Sequence, residues 1–150
     1  MLRITGSYTY LQSRECLATA LNVNAPSACL RGDVPLTTRH AAGIVASVEQ
    51  HGRSRVGIEV YYTGRQALVD NPFRTASLPY VIVGLLGERA FNTAMGVARV
   101  FINFENLTNV RQTRFDLLLL PSRGPSGRWT TDAWTDLSGF TANEGVRFAF

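Results

Sequence analysis

An all-β fold, an antiparallel up-and-down meander of about six strands, is what this sequence predicts. Three observations carry that expectation. Hydrophobicity alternates with a period of two through most of the chain, while helical periodicity is almost absent. Tight polar turns alternate with long connections. Aromatic side chains gather at the ends of the alternating runs.

The first run, "LRITGSYTY", sets Leu2, Ile4, Tyr8 and Tyr10 against Arg3, Thr5, Ser7 and Thr9. In "HAAGIVASVEQ", Ala42, Ile44, Ala46 and Val48 oppose Gly43, Val45, Ser47 and Glu49. In "RVGIEVYYTG", Val56, Ile58, Val60 and Tyr62 oppose Arg55, Gly57, Glu59, Tyr61 and Thr63. "YVIVGLLGER", beginning at Tyr80, is apolar on both sides, so its facing is open. "ARVFINFE" sets Ala98, Val100, Ile102 and Phe104 against Arg99, Phe101, Asn103 and Glu105. The last run sets Phe140, Ala142, Val146, Phe148 and Phe150 against Thr141, Asn143, Gly145 and Arg147. Glu144 breaks its pattern: a carboxylate on the otherwise apolar side, either paired with a neighbour or marking a shift of register.

"QHGRS" between Val48 and Val56 and "FNTAMG" between Arg89 and Val97 are the tight turns. The long connections run from Ser13 to Arg39, Arg65 to Leu78 and Asn106 to Leu137, and hold most prolines and both tryptophans. Short turns at one end, long loops at the other and strands of about ten residues are the pattern of a transmembrane β-barrel. The aromatics fit two interfacial girdles: Tyr8, Tyr10, Tyr62, Tyr80 and Phe104 at the long-loop ends, and Phe91, Phe148 and Phe150 at the short-turn ends. The alternative is a soluble all-β binding module with these rings in its core.

Composition narrows the function classes. The longest apolar runs, "YVIVGLLG" and "LLLL", are far shorter than the roughly 18–20 residues of a membrane helix. The chain has no lysine, and its arginines are spread singly, which argues against a nucleic-acid partner. "LRITGSYTYLQ" after Met1 does not read as a signal peptide. No nucleophile elbow, metal-binding histidine pair or glycine-rich phosphate loop is present, so neither an enzyme nor a metal or cofactor site is expected. Cys16 and Cys29 bracket a loop-like stretch and are candidates for a loop disulfide, which needs an oxidising compartment, or for two unpaired thiols. His40 and His51 do not complete a metal site with them.

The last eight residues, "NEGVRFAF", resemble the barrel-assembly signal of Gram-negative outer-membrane proteins, with Asn143, Gly145, Phe148 and Phe150 in its four places. Upstream, "VPLTTRHAAGIVASVEQHGRSRVGIEVYYTGRQALVDNPFRT" and "VFINFENLTNVRQTRFDLLLLPSRGPSGRWTTDAW" resemble the closing strands of TonB-dependent receptors. "NFENLTNV" is similar to the segment leaving that family's penultimate strand. The "NLT" sequon at Asn106 is read as an accidental match. The resemblance covers essentially the whole chain, from Leu2 to Phe150.

The resemblance implies short periplasmic turns, long extracellular loops, location in the outer membrane of a Gram-negative bacterium, and energised uptake of a scarce ligand. That ligand is commonly a ferric siderophore, sometimes a cobalamin or a glycan. Arg3, Thr5, Arg55, Glu59, Arg99, Asn103, Glu105 and Arg147 would face the lumen and its plug. Arg111, Arg114, Trp129 and Trp134 would be extracellular-loop contacts for ligand. The implied partners are outer-membrane lipid, the remaining barrel and plug, the barrel-assembly machinery, and the TonB energising complex acting through the N-terminal part.

The family's barrel has about 22 strands around a plugged lumen, and about eight is the smallest single-chain barrel of this kind. The expectation is therefore a partial barrel over residues 1–150 with no plug domain or signal peptide. It would be the carboxyl-terminal piece of a receptor, from a split reading frame or as a fragment, with Met1 an internal start and no transport by the piece alone. A small self-associating outer-membrane pore is a further alternative.

Overall fold

The computed structural model describes residues 1–17, 30–68, 75–111, 122–123, 129–130 and 138–149, with the backbone alone at 16–17, 30–31, 122–123 and 129–130. In chain order the strands are β1 (Leu2–Tyr10), β2 (Arg14–Leu17), β3 (Leu30–Asp33), β4 (His40–Gln50), β5 (Ser54–Thr63), β6 (Tyr80–Thr93), β7 (Gly96–Glu105), β8 (Ser122–Arg123), β9 (Trp129–Thr130) and β10 (Thr141–Ala149). The described residues contain no helix. Six strands form one sheet in the order β1-β4-β5-β6-β7-β10, antiparallel throughout. The two small ribbons, β2–β3 and β8–β9, lie in the first and last long connections.

Each strand of the large sheet pairs with the next large strand in sequence, which is the expected meander. The β4–β5 turn closes with the Arg53 N–H donating to the Gln50 carbonyl at 2.9 Å. The β6–β7 turn is tighter than "FNTAMG" suggests. Thr93 pairs with Gly96, leaving Ala94 and Met95 as the loop, and the Thr93 hydroxyl donates to the Gly96 carbonyl at 2.8 Å. Arg89 pairs with Ser54 at the end of β5, and β6 runs on through Ala90, Phe91, Asn92 and Thr93 before it turns. The second hairpin is thus stepped along the strand axis, the kind of stagger that tilted strands produce.

Antiparallel partners project to the same face, so the register settles every facing. One face carries Ile4, Ala46, Ile58, Leu85, Phe104 and Ala142 in a single row across all six strands. The neighbouring row on that face is Leu2, Val48, Val56, Gly87, Ile102 and Glu144. β6, apolar on both sides, therefore turns Val81, Val83 and Leu85 to the apolar face and Ile82, Gly84, Leu86 and Glu88 to the other. Its phase is imposed by pairing with β5 and β7.

No second layer covers the apolar face among the described residues. Among the described residues the buried hydrophobic ones are Ala98 on β7 and Val110 in the turn that follows it, whereas Ile4 on β1 is 65% exposed and Phe148 on β10 is 57% exposed. Six strands at about 4.8 Å spacing make a face roughly 25 Å wide. A soluble sandwich would bury such a face against a second sheet about 10 Å away.

The end of β7 is held by a compact asparagine turn. Asn106 and Asn109 adopt left-handed φ values of 52°, a conformation asparagine tolerates better than most residues. The Asn106 side-chain amide donates to the Val110 carbonyl at 2.7 Å, and its Oδ1 accepts the Val110 N–H at 2.9 Å. Leu107 N–H and the Thr108 hydroxyl donate to the Val83 and Val81 carbonyls at 2.8 and 2.7 Å, tying the turn to β6. Asn109 Oδ1 accepts the Phe140 N–H at 3.1 Å, tying it to the entry of β10. Asn106 is 4% exposed with its amide nitrogen engaged, so the sequon offers no accessible acceptor.

Candidate functional site

The polar face of the sheet gathers side chains far apart in sequence. Arg3, Thr5, Arg55, Glu59, Arg99, Asn103, Glu105 and Arg147 all project to it, as the pairings Arg3–Ser47–Gly57, Thr5–Val45–Glu59, Asn103–Asn143 and Arg99–Arg147 require. Glu88 joins them and receives the Arg99 guanidinium at 3.2 Å. The Tyr61 hydroxyl donates to Glu59 Oε2 at 3.1 Å. Glu105 accepts from the Asn103 amide at 2.8 Å and from the Thr141 hydroxyl at 3.4 Å. Arg99 and Arg147 lie directly opposite each other, a like-charge arrangement that favours an anionic group above them.

Two glycines on this face make room for large neighbours. A Cβ on Gly84 would lie 2.6 Å from Glu59 Oε1, and one on Gly145 would lie 2.6 Å from the Phe101 ring. Gly145, which matches the assembly signal by sequence, therefore has a packing role: the ring of its cross-strand partner lies over it. Gly145→Val is expected to destabilise the chain by about 1–3 kcal/mol, measured by urea titration in detergent micelles. Phe101→Ala should absorb most of that loss in the double variant. Equal losses with and without the ring would remove the packing role.

The other members of the signal are divided between the faces. Asn143 lies on the polar face opposite Asn103, and Phe148 on the apolar face opposite Ala98. Phe150 lies outside the described residues. Of the expected girdle aromatics, Tyr8, Tyr10, Tyr62 and Phe104 share the apolar face, but Tyr80 pairs with Thr63 on the polar one. The reason is again the phase of β6. Glu144 lies on the apolar face opposite Ile102, in regular register, on β10, the last strand of the sheet among the described residues.

At the long-loop end, the β4–β5 ladder continues as a bridge between Thr38 and Gln66, and Ala67 pairs with Ala76. This creates a cleft of about 750 Å³ bordered by Asp33, Arg39, Arg65 and Gln66 among others. Asp33 and Arg39 form an ion pair. Hydrogen bonding from the Arg39 guanidinium holds the Asp33 carboxyl below the usual carboxylate range, and Asp33 in turn raises Arg39. Ser77, 2% exposed, accepts the Gln66 N–H on its hydroxyl at 3.0 Å and donates its own N–H to the Gln66 carbonyl at 2.9 Å. Gln66 Oε1 is buried without a partner among the described residues.

Sequence reading did not single out this cleft. The signal that leads to it is the β4–β5 register, which extended outward brings Thr38 to Gln66. The expected loop contacts are not assembled among the described residues. Arg111 is exposed beside Gly139, the side chain of Trp129 is not described, and Arg114 and Trp134 lie outside the described residues, as does Cys29 of the Cys16–Cys29 pair. No group of three or more metal-binding side chains occurs among the described residues. No family model matches this chain, nor does any curated protein or solved structure.

Proposed function

We propose that this chain is part of an outer-membrane β-barrel wall, the closing strands of a receptor of the TonB-dependent kind that takes up a scarce ligand such as a ferric siderophore. One observation carries the reading. A single six-stranded sheet has an apolar face left open from β1 to β10 among the described residues, and an opposite face bearing Arg3, Arg55, Glu59, Glu88, Arg99 and Arg147. Lipid satisfies the first face, and a wet lumen with a plug satisfies the second.

The outer edges of β1 and β10 carry no strand among the described residues. In a membrane such edges need pairing, because hydrocarbon offers their backbone groups no hydrogen bonds. The remaining barrel supplies those strands, and the loops at the long-connection end face the medium from which ligand is captured. Plug displacement by the inner-membrane energising complex belongs to the rest of the receptor.

The test is folding behaviour. The urea-unfolded chain, diluted into detergent micelles or lipid vesicles, is expected to gain β-structure, with the sheet protected from protease and the loop arginines Arg39 and Arg65 cleaved. A monomer with cooperative unfolding in detergent-free buffer would overturn the membrane reading in favour of a soluble all-β module. A detergent-stable oligomer that conducts ions would replace the receptor reading with a self-associating pore. DNA upstream of Met1 encoding further strands and a plug domain is the expected genetic counterpart.

A further inference from the structure

At the short-turn end, Arg89 departs from the pattern of the apolar face. Its pairing with Ser54 and Val100 places it there, between Gly87 and Phe91, and its guanidinium carbon lies 5.3 Å from the Phe91 ring centroid. Arg53, in the β4–β5 turn, borders the same cleft, a space of about 820 Å³ that Ser54, Phe91 and Asn92 also line. The Arg53 carbonyl accepts the Ala90 N–H at 2.6 Å, which fixes the turn beside β6.

The cleft is uncompensated. No carboxylate lines it among the described residues. The nearest acidic side chains along these strands, Glu49 and Glu88, project to the opposite face, and Glu88 is engaged by Arg99. No ion pair reaches Arg53 or Arg89 among the described residues. Two arginines without counter-ions among the described residues therefore sit where an apolar sheet face ends, with an aromatic ring beneath one of them. A guanidinium is weakly hydrated, stacks on aromatic faces and binds phosphate oxygens bidentately. Basic residues at a membrane boundary attract anionic headgroups.

We propose that Arg53 and Arg89, with the Ser54 hydroxyl as a neutral donor, form a binding site for the phosphate of an anionic phospholipid. The acyl chains of that lipid lie along the apolar face over Phe91 and Val100. This rests on the membrane reading above. Charge complementarity selects the occupant: a phosphate supplies the missing negative charge, and a diacyl tail covers the apolar surface that continues from it.

The experiment uses the full chain reconstituted in phosphatidylcholine vesicles, with insertion scored first by protease protection. Spin-labelled phosphatidylglycerol and spin-labelled phosphatidylcholine then report relative association with the protein. Wild type should prefer phosphatidylglycerol, and Arg53→Gln and Arg89→Gln should each weaken that preference about fivefold. The double variant should show almost none, while Arg65→Gln, at the far end of the sheet, should keep it.

An unchanged preference in the double variant overturns the site. Displacement of the labelled lipid by millimolar inorganic phosphate overturns the lipid as occupant in favour of the free anion. Failure to insert overturns the membrane reading and this site with it, whereas insertion without preference overturns the site alone.

Discussion

Leu85→Arg is expected to destabilise the lipid-inserted chain by about 2–4 kcal/mol, the cost of a basic side chain near the middle of a lipid-facing strand. Leu85 sits in the row of Ile4, Ala46, Ile58, Phe104 and Ala142, well inside both ends of the sheet. The next residue provides the control. Leu86 projects to the polar face opposite Gly57 and Asn103, and Leu86→Arg is expected to change stability by no more than about 0.5 kcal/mol. Equilibrium urea unfolding in vesicles measures both. Equal losses at the two positions would mean that the faces do not differ in what they meet, and the wall reading would fail. The adjacent pair is informative because composition, strand and depth are shared and only the facing differs.

Asn106→Ala is expected to cost at least about 3 kcal/mol. Two effects add. The Val110 N–H and carbonyl, at a residue only 2% exposed, each lose their partner, at about 1–3 kcal/mol for a buried group left unsatisfied. Alanine at a φ of 52° adds about 1–2 kcal/mol of left-handed strain. Asn106→Gly separates the two, since it removes the same hydrogen bonds without the strain and should be milder by about 1 kcal/mol. Unfolding titrations give the totals, and amide exchange at Val110 gives the local effect, which should accelerate in both variants. A loss below about 1 kcal/mol with unchanged exchange at Val110 would show that the turn is held elsewhere, by the Leu107 and Thr108 bonds to β6.

How much of this was legible in advance depended on whether a segment had two distinguishable sides. In β1, β4, β5, β7 and β10 the alternation of Val, Ile and aromatic residues with Arg, Thr and Glu assigns the faces without any structure. β6 has no such contrast: Val81, Val83 and Leu85 look like Ile82 and Leu86. Its assignment came from hydrogen-bond register with its neighbours, which also moved Tyr80 off the expected girdle and carried Arg89 onto the apolar face. The turn after β6 was read too long for a related reason: Phe91, Asn92 and Thr93 look like loop residues until β7 is present to pair with them.

The local sequence by itself determined the number of large strands, their order along the chain, the positions of the two tight turns and the two-sided character of the sheet. These follow from a side-chain period of two and from turn chemistry, both of which act over a few residues. Only the tertiary structure decided what lies opposite what: Phe101 over Gly145, Asn106 on Val110, Thr38 beside Gln66, and Arg53 with Arg89 around one cleft. Those contacts depend on register between strands and on the course of turns. A shift of two residues in register would keep every facing and change every partner, and no local pattern records it.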